Sequence, residues 1–182
     1  MCECLLMPTK FCVVVTAVLS NEIEVLRFHG ALITSSLESI NSELLLASPI
    51  DNAGTLGKQF RHIIDIRKCY LDALRSGILN FNRKDIDHSL ENYKQKLLEG
   101  LKRILEEICA EVSMYNTQRL EEKWIDCTPS VRYLGESSRK ISPLRAIGLL
   151  IEHEIFPEGE LALYFKSENI KFPKNWIIWG LI

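Results

Sequence analysis

The chain has 182 residues, of which 47% are hydrophobic and 25% charged, and its net charge is −2. This length and balance fit one globular domain spanning 1–182 and exclude a disordered or low-complexity chain. A nearly neutral chain with no basic stripe also lacks the electrostatic footprint of a nucleic-acid binder.

Six cysteines stand at positions 2, 4, 12, 69, 109 and 127, with no CxxC and no regular spacing. In a chain this long they read as reduced thiols of a cytoplasmic protein rather than a disulfide framework. Cys69 and Cys109 fall inside helical patterns, where a free thiol behaves as a small hydrophobe. Cys2 and Cys4 are either a soft-metal pair or part of a frayed terminus. Residues 1–20 form an N-terminal extension or arm. Its apolar run Phe11–Leu19 is too short to cross a bilayer as a helix. Lys10 precedes the run, but no small-residue cleavage site follows it, so neither a secretory leader nor a membrane anchor is expected. The run either lengthens the first helix or makes a short β-rich arm, and Met7 is an alternative start.

The spacing predicts four helices. Over 21–46, Ile23, Leu26, Ala31, Ile33, Leu37, Ile40 and Leu44 recur near turn spacing. The Pro49–Gly54 stretch then breaks the chain. Thr55 caps a second helix, 55–79, with a stripe of Leu56, Phe60, Ile63, Tyr70, Leu74 and Ile78. The third, 87–114, has the clearest seam, in Leu90, Tyr93, Leu97, Leu101, Ile104 and Ile108. Its charged residues are a solvated face. Residues 116–141, with Trp124, Pro129, Tyr133 and Gly135, make a long irregular connection of the kind that covers a site or crosses a bundle. Ser142-Pro143 starts the fourth helix, 143–168. The aromatic tail 170–182 is expected to pack back over the bundle. The fold class is therefore all-α, a four-helix bundle with negligible sheet. Helix one and the tail offer more apolar surface than a monomer of this size exposes comfortably, which predicts a homodimer.

Two histidines enter helix patterns, His62 in the second and His153 in the fourth. An inward imidazole needs a partner or a metal, because an unpaired buried polar group costs ~1–3 kcal/mol. Near His153, Pro157 and Gly159 are poor interior helix residues, proline by ~3 kcal/mol. They predict either a bend or a locally opened helix.

The segment Gly54-Thr55-Leu56-Gly57-Lys58-Gln59-Phe60-Arg61-His62-Ile63 and the later His153-Glu154-Ile155-Phe156-Pro157-Glu158-Gly159-Glu160-Leu161 together resemble the DinB-like superfamily. That family carries a helix-two histidine and a fourth-helix run H-E-x-x-H-x-G-Q-[LI], followed by a tyrosine and P-x-W. Tyr164 and Pro173-Lys174-Asn175-Trp176 occupy the later places. The resemblance spans roughly residues 20 to 182. It implies a four-helix bundle, commonly dimeric, with a divalent metal held by three histidines at one end. His62 and His153 fit two of those positions, and their imidazoles are then expected to converge. The third position is Pro157, which cannot bind a metal, and the family glutamine is Glu160. Glu160 lies seven residues beyond His153 on one helix face, ~10 Å away at the backbone. With a kink it could complete a set of His62, His153 and Glu160 for zinc, nickel, iron or manganese. The family includes transferases acting with low-molecular-weight thiols, whose metal would lower the thiol's pKa. The alternative is a non-catalytic, stress-related bundle binding a small apolar ligand or a protein partner, its metal site vestigial.

Overall fold

The computed structural model describes residues 7–82, 85–132, 135 and 138–181, without the side chains of 7–16, 117, 118 and 121. Cys2, Cys4 and Tyr133 lie outside the described residues. Four long helices form the bundle: α1 (Met7–Ser39), α2 (Leu56–Ser76), α3 (Lys94–Ser113) and α6 (Pro143–Ser167).

Helix α1 starts earlier and stops sooner than 21–46. The apolar run from Phe11 lengthens it, the first of the two alternatives the sequence left. At its far end Asn41 Oδ1 accepts the Leu44 N–H at 3.1 Å. Such a local bond competes with helical pairing, and Glu43–Leu46 becomes a separate 3-10 turn. Lys94 Nζ donates to the carbonyls of Glu38 at 2.9 Å and Ile40 at 2.5 Å. These are terminal carbonyls with no helical donor of their own.

Thr55 Oγ1 accepts the Lys58 N–H at 3.1 Å, the expected cap of α2, and Gly77, with φ +82°, ends it. Gly57 lets this helix start lie against the turn His88–Asn92. A Cβ there would stand 2.0 Å from the Glu91 carbonyl oxygen. The third helix begins later than predicted, because Asp87 caps that 3-10 turn and Tyr93 is extended. Its buried seam accordingly runs through Leu97, Leu101, Ile104, Ile108 and Val112, while Tyr93 is exposed.

The connection 116–141 is more ordered than expected. It holds the short helices α4 (Thr117–Glu122) and α5 (Thr128–Val131) and the two-residue strands β1 (Ile125–Asp126) and β2 (Lys140–Ile141). The strands pair antiparallel, Ile125 opposite Ile141. Asp126 also exchanges backbone bonds with Gly77 and Leu79, at 2.8 and 2.9 Å, which ties the connection to the end of α2. The tail folds back as predicted through Trp176, whose Nε1 donates to the Leu32 carbonyl at 3.3 Å.

Buried apolar residues form two clusters. One gathers Leu26, the Cys69–Leu74 turns of α2, Ile104–Val112 and Ile147–Ile151. The other gathers Leu32–Ile40, Leu56–Ile64, Leu97, Leu101, Leu161–Phe165 and Trp176. On every long helix the gap between them falls at one level: near residue 29 on α1, 67 on α2, 102 on α3 and 154–158 on α6. That level is polar.

Candidate functional site

Helix α6 lies between α1 and α2 and is capped as expected, with Ser142 Oγ accepting the Arg145 N–H at 3.2 Å. It runs unbroken past Pro157, which is buried. Proline has no N–H, so the His153 carbonyl lacks its helical donor. The helix is held by its surroundings instead of opening.

Its core side carries the polar layer. Glu154 accepts two bonds from Arg67, Nε at 2.8 Å and a terminal guanidinium nitrogen at 2.5 Å. A third Arg67 nitrogen donates to the Leu101 carbonyl at 2.8 Å. Arg67 and Glu154 are 0% and 1% exposed, so this bidentate pair is fully desolvated. One turn along, Glu158 Oε1 meets His29 Nδ1 at 2.8 Å, again in the interior. Burial raises the Glu158 carboxyl pKa, against the opposing effect of His29. Its second oxygen, Oε2, is the one buried side-chain polar atom among the described residues with no hydrogen-bond partner.

The flank of α6 towards α2 carries the predicted residues. His153 Nδ1 is 2.8 Å from the Tyr70 hydroxyl, and its ring packs on Tyr70 and edge-on against Phe81, both at 5.5 Å between centroids. Burial lowers the His153 pKa, with Glu152 and Glu154 opposing. Burial and then Arg61 lower that of His62; Asp65 opposes, while His153 and Lys58 add to the lowering. His62 keeps contact with solvent. The histidines thus share one electrostatic neighbourhood. Glu160 is half-buried, and desolvation raises its carboxyl pKa.

The register of the two helices sets the spacing. Gln59 Nε2 donates to the Tyr164 hydroxyl at 3.3 Å, and Tyr70 meets His153, so α2 and α6 run antiparallel. His62 thus lies towards the Gln59–Tyr164 end of this helix pair and His153 at the Tyr70 end. Among the described residues, no three His, Cys, Asp or Glu side chains come together as a group able to hold a metal. Pro157, standing where the resemblance puts the third histidine, has no donor atom to offer, so the residues present do not supply the three-histidine set that the resemblance implies.

On the other flank, between α6 and the tail, lies a cavity of about 300 Å³. Ile155, Ala162, Trp176 and Trp179 make its apolar wall, Gly159 borders it, and Glu158 lines it. Neither this cavity nor the pairing within the buried quartet of His29, Arg67, Glu154 and Glu158 follows from helical periodicity. A signal was present, because Arg67 interrupts the stripe Ile63–Tyr70–Leu74 and His29 stands between Leu26 and Ile33.

No family model and no curated protein matches the sequence. Among solved structures, a DinB-like protein from Bacillus subtilis, YjoA, is similar at a TM-score of 0.61 and 16% identity. The match covers 82% of this chain and 92% of that one. The chain therefore has the DinB-like fold, an all-α four-helix bundle.

Proposed function

We propose that this chain is a non-catalytic DinB-like bundle of the cytoplasm, without a resident metal, that binds a small apolar molecule between α6 and the C-terminal segment. The observation that carries this reading is how the donors on α6 are used. Glu154 is committed to Arg67, Glu158 to His29 and the His153 Nδ1 to Tyr70, while Pro157 stands where a third ligand is needed. The cavity beside them has the largely apolar wall typical of ligand sites. The buried Cys109 and Cys127 are thiols outside any disulfide, which suits a reducing compartment. No helix among the described residues is long and apolar enough to cross a membrane.

The test is titration with an apolar fluorescent dye, read by energy transfer from Trp176 and Trp179. Gly159→Phe should abolish the saturable binding, because a side chain at Gly159 enters open space beside the cavity. Dye binding that is the same in wild type and Gly159→Phe would place the ligand elsewhere and sink the proposal.

A second reading is a metal-dependent thiol transferase using zinc, nickel, iron or manganese and a low-molecular-weight thiol. The lowered pKa values of His62 and His153 favour it, since neutral imidazole is the form that binds metal. Stoichiometric metal in the purified protein would support that reading over the first.

A further inference from the structure

The cavity between α6 and the tail offers an entering molecule very little to hydrogen-bond. Among its described lining residues none is a lysine, arginine, histidine, serine or threonine. Glu158 presents no acceptor to it, because one carboxyl oxygen is 2.8 Å from His29 and the other is enclosed in the core. The indole N–H of Trp176 is engaged as well, donating to the Leu32 carbonyl at 3.3 Å. A polar group brought in from water would lose its hydration without a replacement, and a charged group would lose the most.

The two tryptophans of the lining are held very differently. Trp176 is 2% exposed and packs on Phe172, 5.6 Å away between ring centroids, with Phe165 a further 5.5 Å beyond Phe172. Beside it Asn175 accepts from Ser35 Oγ at 2.9 Å and donates to the Ala31 carbonyl at 3.3 Å. This part of the tail is thus pinned to α1, and Trp176 is a fixed floor. Trp179, three residues on, is 48% exposed, and the Gly180 N–H that closes its turn bonds back to Ile177 inside the tail. Its ring still has surface to cover. On the α6 side, Gly159 has no heavy atom within 4 Å of where a Cβ would lie. A cavity of about 150 Å³ holds one benzene ring, so about 300 Å³ has room for a fused pair.

We propose that the cavity binds an uncharged aromatic molecule of about one or two rings, stacked against Trp179, and that it rejects carboxylates. This rests on the reading of the cavity as a ligand site and adds the chemical class of the ligand. An aromatic is favoured over a saturated body of the same size because ring contacts attract beyond the apolar area they bury. An anion is disfavoured because the described lining supplies no cation.

The experiment uses the whole chain and three probes of one outline: toluene, methylcyclohexane and benzoate. Binding is followed by tryptophan fluorescence and by calorimetry in sealed cells at neutral pH. Benzoate should bind at least about tenfold more weakly than toluene, the equivalent of one hydrogen bond to water lost and not replaced. Trp179→Leu should lower the ratio of toluene to methylcyclohexane affinity by about two- to tenfold, the worth of one ring pair. The different hydrophobicities of the probes cancel from that change in ratio. Benzoate binding as tightly as toluene would show that the site takes anions, and the neutral assignment would be wrong although the cavity binds. That comparison needs no variant, so it stands even if Trp179→Leu fails to fold. A ratio unchanged in Trp179→Leu would overturn the aromatic assignment and leave the apolar site standing. If none of the three binds, the ligand site and the assignment fail together.

Discussion

Arg67 is fully buried, and every bond it makes is to one carboxylate or one carbonyl. Arg67→Met should therefore cost about 3–5 kcal/mol, because it leaves Glu154 charged and unpaired in the core. The double variant Arg67→Met with Glu154→Met should be much less destabilised than the single one, since no charge is then stranded. Urea denaturation measures both, and a double variant as unstable as the single would contradict the pairing. A pH effect belongs at the same scale. The folded protein holds His153 below its ordinary pKa through burial, with Glu152 and Glu154 opposing and the buried hydroxyl of Tyr70, itself raised, staying protonated. As pH falls from about 7.5 to 5.5 the unfolded chain takes up the proton first, so stability present above the ordinary histidine range is lost. His62 acts in the same direction, beside Arg61, Asp65 and Lys58. Wild type should lose more stability over that interval than His153→Gln, and parallel curves would show that His153 contributes nothing. The raised carboxyl groups of Glu158 and Glu160 act oppositely, adding stability as pH falls towards the ordinary carboxylate range.

At the scale of elements, α6 tolerates two poor helix formers for different reasons. Pro157 is buried and held by its neighbours, whereas Gly159 is at the surface with open space where its Cβ would be. Gly159→Ala should stabilise the protein by about 0.5–1 kcal/mol, measured by denaturation, because nothing there needs glycine's freedom. Gly57→Ala should do the reverse, since its Cβ would meet the Glu91 backbone. Helix positions were legible because Leu, Ile and Phe recur at turn spacing on all four. The ends were less so. Asn41, Asp87 and Tyr93 stop or delay helices through local bonds that compete with a continuing apolar pattern. The strands β1 and β2 were beyond reach, being two residues each and held by partners distant in sequence.

Across the whole molecule, a polar layer divides the core into two apolar clusters, and its members come from three helices and a backbone carbonyl of the fourth. Periodicity could place Arg67, Glu154 and His29 on inward faces but could not pair residues more than eighty positions apart. The outer surface carries a second message. Phe156, Leu163, Ile177 and Ile178 are exposed by 56–71% of their surfaces, on α6 and the tail. We propose that this face joins two copies in a homodimer, as apolar exposure of this kind commonly does. Phe156→Lys with Ile178→Lys should then convert a dimer to a monomer in sedimentation at micromolar concentration. A wild type already monomeric there would contradict the proposal.

Metal analysis of untagged protein dialysed against zinc or nickel tests most directly whether Pro157 keeps this DinB-like bundle from holding a metal. Wild type should retain far less than one ion per chain, whereas Pro157→His, which supplies a second α6 histidine one turn from His153, should retain close to one. One tightly held ion per wild-type chain, lost in a variant lacking both His62 and His153, would contradict the account.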